Sequence, residues 1–196
     1  GFVGYKATLG TGTTFDGSAE LLTNLNKEEL VTREASFGED TRVKVKAGLS
    51  AKIGKGDDAT LCMAVQREWG TDEKGFVKLV SYNPKSKEWG AVRYPLDKTE
   101  AGWVGLSEIT AQGDYVYIVE RDNQVGDKAK IKKLYRVAIA DLKPGKIGGE
   151  LPLVAKQEAH DFLPDLKAQT NGYTVDKLEG FTFDKAGTAY IVTDND

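Results

Sequence analysis

A single histidine, a single cysteine and the lack of any long apolar run remove several functional classes from this chain of 196 residues. A Ser-His-acid hydrolase needs a base beside its nucleophile. Here the only histidine, His160, lies in the polar run Gln157-Glu158-Ala159-His160-Asp161, and the sequence holds no Gly-x-Ser-x-Gly elbow. One histidine outside any such motif likewise gives no support to a phosphohistidine mechanism. Zinc sites built from cysteine and histidine are excluded by counting. Cys62 has no partner for an internal disulfide and sits in the apolar run Leu61-Cys62-Met63-Ala64-Val65, so it reads as a buried, inert thiol that says nothing about redox compartment. No stretch reaches the roughly 18 to 20 apolar residues of a membrane-spanning helix, and Gly1-Phe2-Val3-Gly4 carries no basic-then-apolar signal pattern. A net charge of -3, from 27 basic and 30 acidic residues, supplies no field for a polyanion, so nucleic acid is not an expected partner. No Asn-x-Ser/Thr acceptor occurs.

What is present is punctuation. The 22 glycines recur between short runs rich in Val, Tyr, Phe and Thr, the pattern of many short antiparallel strands. With 40% hydrophobic residues the chain can bury one sizeable core. Residues 76–82 and 88–94 flank Asn83-Pro84-Lys85-Ser86-Lys87 and predict a hairpin, and residues 115–120 and 131–139 predict a second pair. Helix is scarce, the best candidate being Asn26-Lys27-Glu28-Glu29-Leu30 with Asn26 as its cap. Gly10-Thr11-Gly12-Thr13-Thr14 lacks the Gly-Lys-Ser/Thr of a phosphate loop and reads as a turn.

A supersecondary unit repeats. Gly48-Leu49-Ser50, Gly105-Leu106-Ser107 and Gly180-Phe181-Thr182 are each followed by a Gly/Asp turn and an apolar strand with a polar end. The apolar strands end in Arg67-Glu68, Arg121-Asp122 and Asp194-Asn195. The first two copies continue into a further pair of strands, which makes four per unit. Their starts lie 57 and 75 residues apart, compatible with propeller blades carrying loop insertions. The fold class expected is therefore all-β, made of four-stranded antiparallel β-propeller blades. Residues 1–47 form a partial N-terminal blade, 48–104 a blade, 105–179 a blade with an insertion near 160–174, and 180–196 the start of another. A β-sandwich explains the strands equally well, but not the alignment of Arg67 with Arg121 and of Glu68 with Asp122. The last unit has only two strands, so the chain is expected to be part of a larger propeller completed by other chain segments. Ser50 and Ser107 open two of the units, where a hydroxyl bonded to backbone is expected. Trp69 and Trp89, in the echo Glu68-Trp69-Gly70 and Glu88-Trp89-Gly90, read as packing residues, with a sugar or aromatic platform as the second reading.

Several of these stretches resemble a known family. Gly105-Leu106-Ser107-Glu108-Ile109, Tyr117-Ile118-Val119-Glu120-Arg121-Asp122-Asn123, Leu134-Tyr135-Arg136-Val137, residues 171–177, Lys177-Leu178-Glu179-Gly180-Phe181 and Val192-Thr193-Asp194-Asn195-Asp196 are similar to the C-terminal half of the bacterial "esterase-like activity of phytase" domain. The likeness runs over roughly 46–196 and not over 1–45. It implies a periplasmic or secreted β-propeller hydrolase acting on phosphoesters or esters. In phosphate-cleaving propellers, calcium held by carboxylates at one mouth of the channel binds phosphate and activates water, and calcium takes six to eight oxygen ligands. The resemblance therefore makes Glu120, Asp122, Glu179, Asp194 and Asp196 the metal-ligand candidates, with Glu108 and Asp176 as further acids. Arg67, Arg121 and Lys177 become the substrate-phosphate candidates. For each acid the competing reading is structural, a strand-end carboxylate satisfied by turn amides or an arginine. Catalytic residues are unassigned, and the rival function is a non-catalytic binding or scaffold propeller.

Overall fold

The structure is a computed structural model. It describes the backbone of the strands within residues 1–53 and, with side chains, residues 53, 59–70, 72–169, 173–174 and 177–193. The expected turn at 54–58, the Asn26 cap, Gly10-Thr11-Gly12, Asp176, Asp194 and Asp196 lie outside the described residues.

Alternation of apolar and polar residues produces a strand-rich chain. In order come β1 (Phe2–Thr8), β2 (Thr13–Thr23), β3 (Glu28–Glu29), β4 (Glu34–Ala35), β5 (Thr41–Ile53), β6 (Thr60–Ala64), β7 (Phe76–Asn83) and β8 (Glu88–Pro95). There follow β9 (Val104–Gln112), β10 (Tyr115–Asp122), β11 (Lys132–Ala138), β12 (Gly145–Lys146), β13 (Gln157–Asp161), helix α1 (Leu163–Gln169), β14 (Leu178–Phe183) and β15 (Ala189–Thr193). One sheet has the order β1-β2-β5-β6-β7-β8-β12, a second β13-β11-β10-β9, and β14 pairs with β15, all antiparallel. The fold is all-β in class. Among the described residues no sheet closes on itself.

The hairpin expected at residue 83 forms. Asn83 Oδ1 accepts hydrogen bonds from Lys85 N at 2.9 Å and Ser86 N at 3.0 Å, and Lys87 takes a φ of 60° to close the turn. The helix expected at 26–30 does not form as such, because Glu28–Glu29 is a strand paired with Glu34–Ala35. Five residues are too few to recover the cost of helix nucleation without packing. A helix appears instead at Leu163–Gln169, where Asp161 Oδ1 accepts from Leu163 N at 3.0 Å and Leu166 is buried. His160 lies on β13, half exposed and 2.5 Å from Asp165.

The strand period of two turns the sequence into layers. One face of β10 sends Val116 and Ile118 into a core with Leu106, Ile109, Tyr135 and Val137, against Val77, Leu79, Val92 and Tyr94 of the first sheet. The opposite face sends Val119 into a second core with Leu134, Phe162, Leu166, Leu178 and Phe181. Tyr117, on the same side, meets Phe183 edge-on at 4.9 Å. The β9–β10–β11–β13 sheet is thus packed between the first sheet and the β14–β15 hairpin. Its β9 edge is bonded to both neighbours: Leu106 N donates to Gln66 O at 3.0 Å, Ser107 Oγ to Leu178 O at 2.6 Å and Thr110 Oγ1 to Phe181 O at 2.9 Å.

One connection crosses between layers. After β11 the chain returns to the first sheet, where β12 pairs with Ala91 and Gly90, and Arg93 N donates to Pro152 O at 2.7 Å. Gly90 permits this, since a Cβ there would stand 2.6 Å from Pro144 Cβ. The N-terminal strands β1 and β2 extend this same sheet beyond β5.

Candidate functional site

Four consecutive residues at the end of β10, Val119 to Asp122, sort the chemistry by face. The register with β9 shifts between Val119 and Glu120, a bulge of the kind that re-aims side chains. Beyond it Arg121 points toward β14, while Glu120 and Asp122 engage groups elsewhere.

Arg121 is buried and its Nη2 lies 2.7 Å from Glu179 Oε1 on β14. Its guanidinium also stands 5.1 Å from the Trp103 ring centroid, and the exposed Arg67 guanidinium stands 4.5 Å from the same ring. The two arginines aligned by the sequence repeat therefore converge on one indole. Trp103 is held by a hydrogen bond from its N to Asn123 Oδ1 at 2.9 Å. Gly102 takes a φ of +73°, and any side chain there would collide with Asn123. Lys177 sits half-buried immediately before β14.

Glu108, on β9, is buried beside this cluster. Burial pushes its carboxyl up to about 7 against the hydrogen bonds from Ile109 N and the Phe181 backbone, and the negative charge of Glu179 adds to the rise.

Glu120 belongs to a different network. It is fully buried, accepting from Asp97 N at 2.6 Å and from Lys156 Nζ at 2.7 Å. The same ammonium reaches Asp97 Oδ1 at 2.8 Å and stands 3.9 Å from the Tyr135 ring centroid. Tyr135 donates its hydroxyl to Asp97 Oδ2 at 2.6 Å. Burial raises the Glu120 carboxyl despite Lys156. Burial also acts upward on Asp97, but the bonds from Lys156 and Tyr135 outweigh it and hold that carboxyl low.

Asp122 is a loop staple. Its Oδ2 accepts from Lys130 N at 2.7 Å and Ile131 N at 2.8 Å, and its Oδ1 accepts from the buried Lys132 Nζ at 2.8 Å. Lys132 also donates to the Asp122 and Gln124 carbonyls. The repeated polar strand end thus has a structural use in both copies, since Glu68 Oε1 likewise accepts from an amide of the following loop, Gly75 N, at 3.2 Å.

The described calcium-ligand candidates already have partners. The oxygens of Glu120 and Asp122 are committed to ammonium and amide donors, Glu179 is paired with Arg121, and the described residues hold no group of three or more His, Cys, Asp or Glu able to bind a metal. The structure brings Arg67, Arg121 and Glu179 together and keeps Glu120 and Asp122 apart from them. Sequence reading missed Trp103, Asp97, Lys132 and Lys156. Only Trp103 carried a local signal, as an aromatic next to Gly102 at the opening of a repeat unit.

Chemically, the Arg67 and Arg121 pair offers a cationic, aromatic-backed contact for an oxyanion, with a near-neutral carboxyl buried behind it. Comparison with curated proteins and with solved structures finds no match. A family model, Phytase-like (esterase-like activity of phytase), matches residues 21–196, beginning well before the residue 46 expected from the sequence. As that match spans far more than half of the chain, the protein belongs to the phytase-like family defined by the esterase-like activity of phytase.

Proposed function

We propose that this chain contributes blades to a β-propeller hydrolase that cleaves phosphoesters, with the substrate's phosphate received by Arg67, Arg121 and Lys177. The observation that carries this reading is the convergence of Arg67 and Arg121 on Trp103 in a chain of this family. A guanidinium meets two phosphate oxygens at once, and stacking on an indole presents its edge without consuming its N–H donors. Arg67 is exposed and reaches substrate, whereas Arg121, tied to Glu179, fixes the charge behind it.

The propeller part of the proposal rests on stacking. The unit 48–104 contains the antiparallel meander β5-β6-β7-β8, the unit 105–179 the antiparallel four-stranded sheet β9-β10-β11-β13 interrupted by the excursion to β12, and β5, β9 and β14 are the first strands of the three units. β9 packs against both β5 and β14, as the inner strands of consecutive blades do. In that scheme β1 and β2 prolong the sheet of the first unit through β5, and β14 and β15 begin a further blade. A periplasmic or secreted location is part of the same proposal and is compatible with the family. Among the described residues no helix is long and apolar enough to cross a membrane.

A calcium ion belongs to the same proposal, with Asp194 and Asp196, which lie outside the described residues, as its candidate ligands.

The test is turnover of aryl phosphates, inositol phosphates and aryl carboxyl esters by the purified protein, with and without chelator, alongside Arg67→Met. Phosphoester turnover that falls roughly 100-fold in R67M with unchanged melting temperature supports the reading, since a charge-assisted contact strengthened in the transition state is worth about 2 to 3 kcal/mol. Turnover of no phosphoester, or full activity in R67M, overturns it and leaves a non-catalytic binding propeller as the better account. Loss of activity with chelator, restored by calcium, decides the metal.

A further inference from the structure

A second cleft lies on the face of the first sheet opposite its core, lined by none of the Arg67, Trp103 and Arg121 cluster. Phe76, Lys78 and Arg93 share the face of β7 and β8 opposite to the one that carries Val77, Leu79 and Val92 into the core. The returning segment 147–151 rises beside them and leaves an open cavity of about 530 Å³, walled on its far side by Trp69.

Trp69 is built as a fixed platform. Its indole is 47% exposed, unusual for so large an apolar group, yet its backbone is tied down: Trp69 N donates to Asp72 Oδ2 at 2.9 Å, and Asp72 N donates back to Trp69 O at 2.9 Å. Asp72 is itself held by a salt bridge to Lys78, whose ammonium stands 4.3 Å from the Trp69 ring centroid. Arg93 lies with its guanidinium 4.9 Å from the Phe76 ring, bonds Glu73 through Nη1 at 2.8 Å, and has a buried Nε with no hydrogen-bond partner.

These features select a class of ligand. Asp72 is neutralised by Lys78 and Glu73 by Arg93, while Glu150 adds one more negative charge to the lining, so a free anion gains nothing on entering. A purely apolar ligand would strand the carboxylates and the Arg93 Nε without water. A ring polyol satisfies both demands. Its C–H face covers the exposed indole, and vicinal hydroxyls donate to carboxylates while accepting from guanidinium and ammonium groups. The cavity is of a size to take one or two such rings.

We propose that the Trp69 cleft is a binding site for neutral saccharides, formed by Trp69, Phe76, Lys78, Arg93, Glu73 and Glu150. None of these residues belongs to the proposed phosphoester site, and the proposal does not rest on that reading.

Isothermal titration of the intact protein with glucose, maltose, cellobiose and glucose 6-phosphate tests the assignment, using wild type, Trp69→Ala, Trp69→Phe and Trp89→Ala. Binding of at least one of the neutral sugars is expected. It should weaken about tenfold or more in W69A, as loss of a central aromatic anchor does, be largely retained in W69F, and be unchanged in W89A. Trp69 is exposed and outside both cores, so W69A keeps its fold, checked by an unchanged melting temperature. No heat from any neutral sugar overturns the proposal, as does equal binding by W69A and wild type. Heat from a phosphorylated sugar alone also overturns it, because the ligand would then be chosen by charge.

Discussion

Replacing Lys132 with methionine isolates the energetics of the loop staple. Lys132 and Asp122 are both fully buried, with the ammonium 2.8 Å from Asp122 Oδ1 and bonded to two carbonyls besides. Methionine fills much the same volume but supplies no charge, so Asp122 keeps its amide donors from Lys130 and Ile131 while losing its only counterion in this network. Breaking a buried pair by removing one partner costs about 3 to 5 kcal/mol, and the surviving amides place K132M near the lower figure, about 3 kcal/mol. Against a domain stability of about 5 to 15 kcal/mol that is a large fraction. Urea denaturation followed by tryptophan fluorescence measures it directly. The effect also has a pH signature. Burial acts to raise the Asp122 carboxyl, but Lys132 and the loop amides hold it below its ordinary value in the folded protein. A carboxyl depressed on folding contributes stability that is present above its unfolded pKa, near 3.9, and lost as pH falls through the folded value. The wild-type advantage should therefore be full at pH 7 and shrink at the acid end. A loss below about 1 kcal/mol at pH 7, or a gap that does not change with acid, refutes the reasoning.

Three further outcomes follow from single positions. Glu108, raised by burial to about 7, binds a proton more readily folded than unfolded, so it costs stability as pH rises from about 4.5 through 7. Glu108→Gln should flatten that decline and gain on the order of 3 kcal/mol or less at pH 8, read by chemical denaturation, and a variant that falls with pH as wild type does would contradict the assignment. Cys62 is buried and its thiol is pushed up to about 12, so a maleimide should label native protein only at the rate of unfolding, as mass spectrometry would show. Gly90→Ala should push Pro144 off the edge of β8 and cost about 1 to 3 kcal/mol in thermal or urea unfolding, whereas a neutral result would mean that β12 moves freely.

The strands were legible because period-two alternation is a local property. The 76–94 hairpin, the meander through β9, β10 and β11, and the inert cysteine all follow from residues within a few positions of each other. The alignment of Arg67 with Arg121 also came from the sequence, as a repeat. The sites did not follow in the same way. Glu120, Arg121 and Asp122 are consecutive, yet a bulge and the alternation of faces send them to Lys156, Glu179 and Lys132, which lie 36, 58 and 10 residues away. An acid at a strand end looks the same in sequence whether it awaits a metal or already holds a lysine. Only its neighbours in space decide, and these are fixed by which sheet packs on which.

The sequence by itself determined the all-β class, the short strands, the family and the paired arginines, since each rests on composition, periodicity or a linear motif. Tertiary structure alone decided that Trp103 gathers those arginines, that Glu120 and Asp122 are neutralised from distant strands, and that segment 144–154 returns to wall the Trp69 cleft. The physical reason is that charge pairing and burial depend on distance through space, which a strand's own residues do not encode.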